Sequence, residues 1–171
     1  MVGLGNPGTR YGPTRHNVGY RVIEALQASA PPAVRLFKPE AVYMNESGRP
    51  VAELARKNGI SPAEILVVCD DFAIALNQLR LRLKGSSGGH NGLNSILEVL
   101  GTLQVPRLRV GIGPVPEGED PADFVLKPFA RQEAEPVKKA IEKAAEAVRV
   151  SIAEGFDAAM NKFNQKAEGA A

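Results

Sequence analysis

Apolar residues along the chain recur at helical spacing in some segments and alternate, or run on unbroken, in others. Val18, Val22, Ile23 and Leu26 share one face of a helix predicted over Asn17 to Ala28, which Ala30-Pro31-Pro32-Ala33 terminates. Val137, Ile141, Ala145, Val148 and Ile152 mark a long amphipathic helix, and a final helix follows over Phe156 to Phe163, ahead of an Ala/Gly tail expected to fray. Asn91 to Leu100 reads as a helix, and Ser47 offers an N-cap to another that holds Val51, Leu54 and Ala55. Ser61-Pro62-Ala63-Glu64 has capping-box spacing with proline at the first helical position, so it opens a short helix. Ile65 to Cys69 is the unbroken β-branched and apolar run of a buried parallel strand, which Cys69-Asp70-Asp71 is expected to end. Leu79 to Leu83 alternates apolar and basic residues, which puts Arg80 and Arg82 on one face of a strand. Val2 to Gly5, Val34 to Phe37 and Leu108 to Ile112 are read as further strand segments, and polar Pro114 to Asp123 as a mobile loop. Strands alternating with helices predict an α/β fold, one domain over residues 1–171 with a twisted mixed β-sheet surrounded by α-helices.

Composition narrows the class. A chain of 171 residues with 44% hydrophobic and 23% charged residues can bury one substantial core. Its longest strongly apolar run, Ile65 to Cys69, is far too short to span a bilayer, and no secretory signal opens the chain. One cysteine forbids an internal disulfide and suits a reducing compartment, so a cytoplasmic protein with no membrane partner is expected. Net charge is only +2, but Asn77 to Gly113 holds five basic residues (Arg80, Arg82, Lys84, Arg107, Arg109) against one acid, Glu98. Charge alone reads first as a solvated face, and second as a patch that meets phosphates.

Several motifs carry candidate chemistry. Gly3-Leu4-Gly5-Asn6-Pro7-Gly8 matches the dinucleotide spacing G-x-G-x-x-G, but Pro7 and Gly12-Pro13 interrupt the helix that would have to receive a pyrophosphate. A glycine turn that exposes Asn6 at a strand end fits better. The two histidines, His16 and His90, each stand beside an asparagine in a glycine-bearing segment, and with one cysteine they lack the spacing of a zinc site. Asp70 fits a turn cap and equally a carboxylate that orients a histidine and stabilises its imidazolium. Cys69, ending an apolar strand beside carboxylates, reads as packing. Gly85 to Gly92 is a loop that lets substrate approach the backbone and delivers Asn91 to a helix start. It lacks the lysine and hydroxyl of a phosphate loop, and Ser86 and Ser87 lack the setting of a nucleophile elbow. Asn45, before a helix, reads on its own as a cap.

Together these segments resemble the bacterial-type peptidyl-tRNA hydrolase family. The resemblance rests on Val2 to Gly8, Tyr11 with Thr14 to Asn17, Tyr43 to Gly48, Cys69 to Asp71, Arg80 to Arg82, Gly85 to Leu93 and Arg107 to Gly113, in the family's order and over most of the chain. It implies a metal-free esterase without cofactor that cleaves the ester between a peptide and the 3′-terminal ribose of tRNA. His16 is then the base that activates water, Asp70 its orienting carboxylate, and Asn6 a third catalytic residue. Tyr11, Met44, Asn45, Gly88, Gly89, His90 and Asn91 would bind substrate, and Arg82 and Arg109 the tRNA 5′-terminal phosphate. Residues 113–129 would form a mobile lid and 132–166 a C-terminal helical region. The expected partner is the acceptor stem and 3′ end of peptidyl-tRNA, met by a monomer.

This chain departs from the family pattern at Ala30-Pro31-Pro32-Ala33, where a strand pair usually stands, and at Ala73, Ala75 and Asn94. Two rival functions follow from the same residues: a non-catalytic relative that binds RNA or protein, and a nucleotide-dependent oxidoreductase resting on Gly3 to Gly8. The retention of Asn6, His16, Asp70 and Asn91 favours the hydrolase over both.

Overall fold

The computed structural model describes residues 1–164. Four strands form one mixed sheet in the order β1-β2-β4-β3, with β1 at Val2–Gly3, β2 at Val67–Ala75, β3 at Leu79–Arg82 and β4 at Arg107–Gly113. β1, β2 and β4 run parallel, and β3 pairs antiparallel with β4. Six helices complete the described residues: α1 Val18–Leu26, α2 Gly48–Asn58, α3 Asn91–Leu100, α4 Pro121–Leu126, α5 Ala134–Ala153 and α6 Phe156–Phe163. The expected C-terminal helical region 132–166 is thus α5 and α6, and its last two residues, with the Ala/Gly tail, lie outside the described residues.

Two apolar clusters sandwich the sheet. Val68 of β2 and Leu108, Val110 and Ile112 of β4 pack with α1, α5 and α6. Val67 and Cys69 of β2 pack with Val51 and Ala55 of α2 and Leu93, Ile96 and Leu97 of α3. β2 therefore buries both faces, which is why its sequence reads as unbroken apolar residues. α1 lies almost backbone to backbone on the sheet. A Cβ on Gly3 would collide with the Gly19 carbonyl oxygen and the Ile23 side chain, and one on Gly19 would sit 2.6 Å from the Leu4 amide nitrogen. The fingerprint-like glycine at position 3 is thus a packing residue, and the close approach seats the start of α1 beside β2.

Three local expectations are corrected. Val34 to Phe37 forms no strand, only an isolated bridge between Val2 and Phe37. Prolines bracket this segment, and β1 pairs through only two residues, too few to template a longer partner. β2 does not end at Asp71 but runs to Ala75. Its regular pairing with β4 breaks after Asp71, so Asp70 lies where the ladder is about to become irregular. The Ser47 hydroxyl does not cap α2; it donates to the Met44 carbonyl at 2.8 Å, closing the preceding 3-10 turn Met44–Glu46.

Candidate active site

A 3-10 turn, Arg15–Asn17, precedes α1 and carries His16. Asn17 ties this turn to the loop after β1. Its Oδ1 accepts from the Asn6 backbone N–H at 2.8 Å and its Nδ2 donates to the Asn6 carbonyl at 2.9 Å. The Asn6 side-chain oxygen in turn accepts from the Met44 N–H at 2.9 Å, which brings in a third segment. His16 Nδ1 then lies 2.8 Å from Asp70 Oδ1, and His90 Nε2 lies 3.0 Å from the same oxygen.

The hydrogen bonds assign the protons. His90 Nδ1 accepts from the Leu93 N–H at 3.2 Å at the start of α3, so in the neutral ring the proton is on Nε2, facing Asp70. An ionised Asp70 can only accept, so His16 presents Nδ1–H to it and keeps the Nε2 lone pair. That nitrogen has no partner among the described residues. Asp70 is buried, which opposes its ionisation. Attraction to His16 and His90, with their hydrogen bonds, outweighs burial and holds the carboxyl well below the usual carboxylate range. Cys69 next to it is fully buried, and burial together with the Asp70 charge pushes its thiol up to about 12, which suits packing and not nucleophilic attack.

His16, Asp70, Gly88, Gly89, His90, Asn91 and Arg109 line a single cleft of about 300 Å³. Asp71, Phe72 and, from the segment around α4, Asp120, Pro121, Ala122 and Val125 complete its wall. Asn91 and Asn45 have exposed side chains with no hydrogen bond inside the described residues. Asn6, Tyr11, Met44 and Asn45 lie outside the cleft lining. Met44 is buried against Gly92, and Tyr11 meets the exposed ring of Tyr43 edge to face at 6.4 Å. The structure thus gathers seven of the twelve candidates at the cleft, with Asn6 joined to His16 through Asn17.

The basic patch is divided. Arg107 is 1% exposed and cannot meet a phosphate. Its guanidinium donates to the carbonyls of Val105, Gly85, Ser86 and Leu103. Arg109 pairs with Asp71 at 2.9 Å and donates to the carbonyls of Ser86 and Ser87. These two arginines hold the glycine-rich loop, and a Cβ on Gly88 would lie 2.7 Å from Arg109 Nη1. Arg80 and Arg82 are exposed as the alternation predicts. Arg109 faces Arg80 across the ladder, while Arg82 faces Arg107. Both ring nitrogens of His90 are engaged within the protein, by Asp70 and by the Leu93 N–H, while the residue still lines the cleft.

His16, Asp70 and His90 also form a group with metal-ligand chemistry, their donor atoms all within 4.8 Å of one another. At hydrogen-bond distances to one shared oxygen, however, they already satisfy each other, and an ion would have to displace both ring protons. Sequence reasoning gave no individual role to Arg15, Asn17 or Phe72, and it placed the α4 residues in a lid without predicting the helix. Asp120 followed by Pro121 was the available signal, since Asp120 accepts from the Ala122 N–H at 2.8 Å and Pro121 takes the first helical position.

A family model described as Peptidyl-tRNA hydrolase matches residues 1–170. The peptidyl-tRNA hydrolase of Methylacidiphilum infernorum is 45% identical over 179 residues, covering 96% of each chain, and that of Moorella thermoacetica is 46% identical over 184 residues, again with 96% of each chain covered. Both alignments are longer than this chain, so the relatives contain residues it lacks. The crystal structure of peptidyl-tRNA hydrolase from Acinetobacter baumannii superposes with a TM-score of 0.85 at 33% identity, over 95% of this chain and 92% of that one. The Escherichia coli endopeptidase HycI, at 15% identity and a TM-score of 0.55, shares the fold alone.

Proposed function

Because the chain belongs to the peptidyl-tRNA hydrolase family and hydrolyses peptidyl-tRNA, we propose that His16 is the base of that reaction, Asp70 its orienting carboxylate and the cleft beside them the place of ester cleavage. His16 Nε2 takes a proton from water as the water oxygen attacks the ester carbonyl. The tetrahedral intermediate then collapses, the ribose oxygen leaves with a proton returned from the imidazolium, and free peptide and tRNA result. Asp70 holds the reactive tautomer and stabilises the ring cation, and His90 keeps Asp70 in place. A positioned base contributes about 10² to 10⁴ in rate, and each oxyanion donor about 10² to 10³. Asn91, Asn45 and the free amide nitrogen of Asn6 supply donors for the oxyanion and partners for peptide amides. Tyr11 and Met44 border the substrate path, and the Gly88-Gly89 backbone allows its close approach.

Arg82, an exposed residue whose Nη1 donates to the Leu81 carbonyl at 2.9 Å, is assigned to the tRNA 5′-terminal phosphate. Arg109 contributes its charge to the same end of the molecule while it holds the loop. The segment 113–129 covers the cleft as a lid through α4. A monomer that meets the acceptor stem and 3′ end in the cytoplasm fits this reading, and no helix among the described residues is long and apolar enough to cross a membrane.

The observation that carries the proposal is the buried His16–Asp70 hydrogen bond with Nε2 left unpaired. Hydrolysis of N-acetylaminoacyl-tRNA in EDTA tests it: the unsubstituted protein should turn over and His16→Ala should not. Turnover that vanishes with EDTA, or survives in His16→Ala, would reject the mechanism.

A further inference from the structure

Arg15 stands beside His16 in the same 3-10 turn, but its side chain engages a different part of the molecule. It is 8% exposed. Its guanidinium carbon lies 4.4 Å from the centroid of the Phe124 ring and 4.7 Å from that of Phe129. Nη2 donates to Glu133 at 2.8 Å, and the same carboxylate oxygen accepts from the Ala130 N–H at 2.6 Å. Nε and Nη1 are buried without a hydrogen-bond partner, so the two aromatic rings are what compensates them. The backbone repeats the attachment: the Arg15 N–H donates to the Lys127 carbonyl at 3.0 Å, and Thr14 bridges to Pro128.

Every one of these partners, from Phe124 to Glu133, belongs to α4 or follows directly from it, and α4 forms one wall of the cleft. Arg107 shows what an arginine that only supports structure looks like here, its donors spent on four backbone carbonyls. Arg15 instead binds mainly through ring faces. Its two unpartnered nitrogens, with three N–H groups between them, would regain water if the segment lifted, which lowers the penalty for opening.

We propose that Arg15 is a positioning residue for the hydrolysis, a latch through which the turn that carries His16 sets the place of α4 over the cleft. This rests on the assignment of the cleft as the hydrolytic site. The latch makes one backbone turn hold the base on one side and the cover on the other, so closing α4 and aligning His16 become a single event. It also divides the lid. Residues 127–129 are its fixed end, and the stretch 116–120, joined to that end by the Lys127–Glu119 ion pair at 2.8 Å, is the part left to move.

The test compares the unsubstituted protein with Arg15→Met and Glu133→Gln, using amide hydrogen exchange and steady-state hydrolysis of N-acetylaminoacyl-tRNA across pH. Exchange should quicken over 121–129 in both variants and stay unchanged over α5. The ratio kcat/KM should fall by about five- to a hundredfold, the scale at which a small misplacement distant from the chemistry is felt. The acid limb of its pH profile should stay in place, because the His16–Asp70 pair is untouched. Arg15→Lys, which keeps the ion pair but not the flat stacking, should lie between the parent and Arg15→Met. Parent-like exchange over 121–129 in both variants overturns the proposal, and so does faster exchange with parent-like kcat/KM. If Arg15→Met does not fold, Glu133→Gln decides on the same criteria. An inactive parent would refute the hydrolytic site and not the latch, which the exchange reads without substrate.

Discussion

His16 and His90 share one acceptor, Oδ1 of Asp70, with their ring centroids 5.0 Å apart. The two rings are not equivalent. His90 is held at both nitrogens, whereas His16 is held at one. In the proposed mechanism the asymmetry separates a supporting ring from a reacting one, which makes their replacements distinguishable.

His16→Ala should lower kcat by about 10² to 10⁴ and leave tRNA affinity largely intact. His90→Asn, by contrast, should lower kcat by about tenfold with little change in KM, as expected when a group that orients the machinery is lost. A rise in KM with kcat preserved would instead show that His90 binds substrate.

Asp70 carries a signature in pH. Its carboxyl is held well below the ordinary value, so its ionised form stabilises the fold fully above the unfolded-chain value of about 4 and loses that contribution as pH falls toward the folded-state value. The Tm difference between the parent and Asp70→Asn should therefore be constant near neutrality and shrink below about pH 4. A difference that stays constant into that range would mean the folded carboxyl is not depressed.

Arg82 and Arg109 should separate when tRNA binding is measured against salt. Arg82→Ala should weaken binding and reduce the slope of log K on log salt by about one, with little effect on a minimal ester that has only the terminal nucleotide. Arg109→Ala should impair that minimal substrate as well, because it frees the carbonyls of Ser86 and Ser87 and removes the ion pair of Asp71 beside the cleft, leaving that carboxylate only the Ala73 N–H. Identical profiles for the two variants would return Arg109 to a purely phosphate-binding role.

Substrates with a blocked amine should be preferred over free aminoacyl-tRNA. Exposed asparagine amides pair with a neutral peptide N–H and C=O, while a protonated α-amine would lose hydration without a free carboxylate to meet it, Asp70 being committed to two histidines. Asn91→Asp should narrow the ratio of kcat/KM for acetylated and free substrates carrying the same amino acid. Equal values in the parent would sink this account of specificity.

Local signals were legible wherever one segment decides its own shape. α3 and α6 fall on the residues that periodicity marks, and α3 stops at Gly101, whose φ of 64° is the left-handed C-cap that glycine favours. The Arg80/Arg82 alternation on β3 holds for the same reason. What the sequence concealed depends on distant segments. Phe37 could extend into a strand only beside a longer β1. The burial of Arg107 is set by a loop about twenty residues earlier in the chain, which accepts its guanidinium. The meeting of His16 and His90 on one oxygen needs a turn, a strand and a helix start at once. Motif resemblance marked these residues one by one, and only the fold shows both His90 ring nitrogens engaged by Asp70 and the Leu93 N–H.

Arg107 and Arg109 together occupy the carbonyls of Gly85, Ser86 and Ser87, so a stretch rich in glycine is held in one shape before any tRNA arrives. Free glycine-rich chain samples more conformations than any other, and freezing it costs about 1–2 kcal/mol of backbone entropy per residue. Here that loss is taken during folding, at the moment the guanidiniums find their acceptors, and encounter with the substrate is spared it. The capture rate should therefore depend on how the partners collide and steer, with no added wait for the loop to find its form.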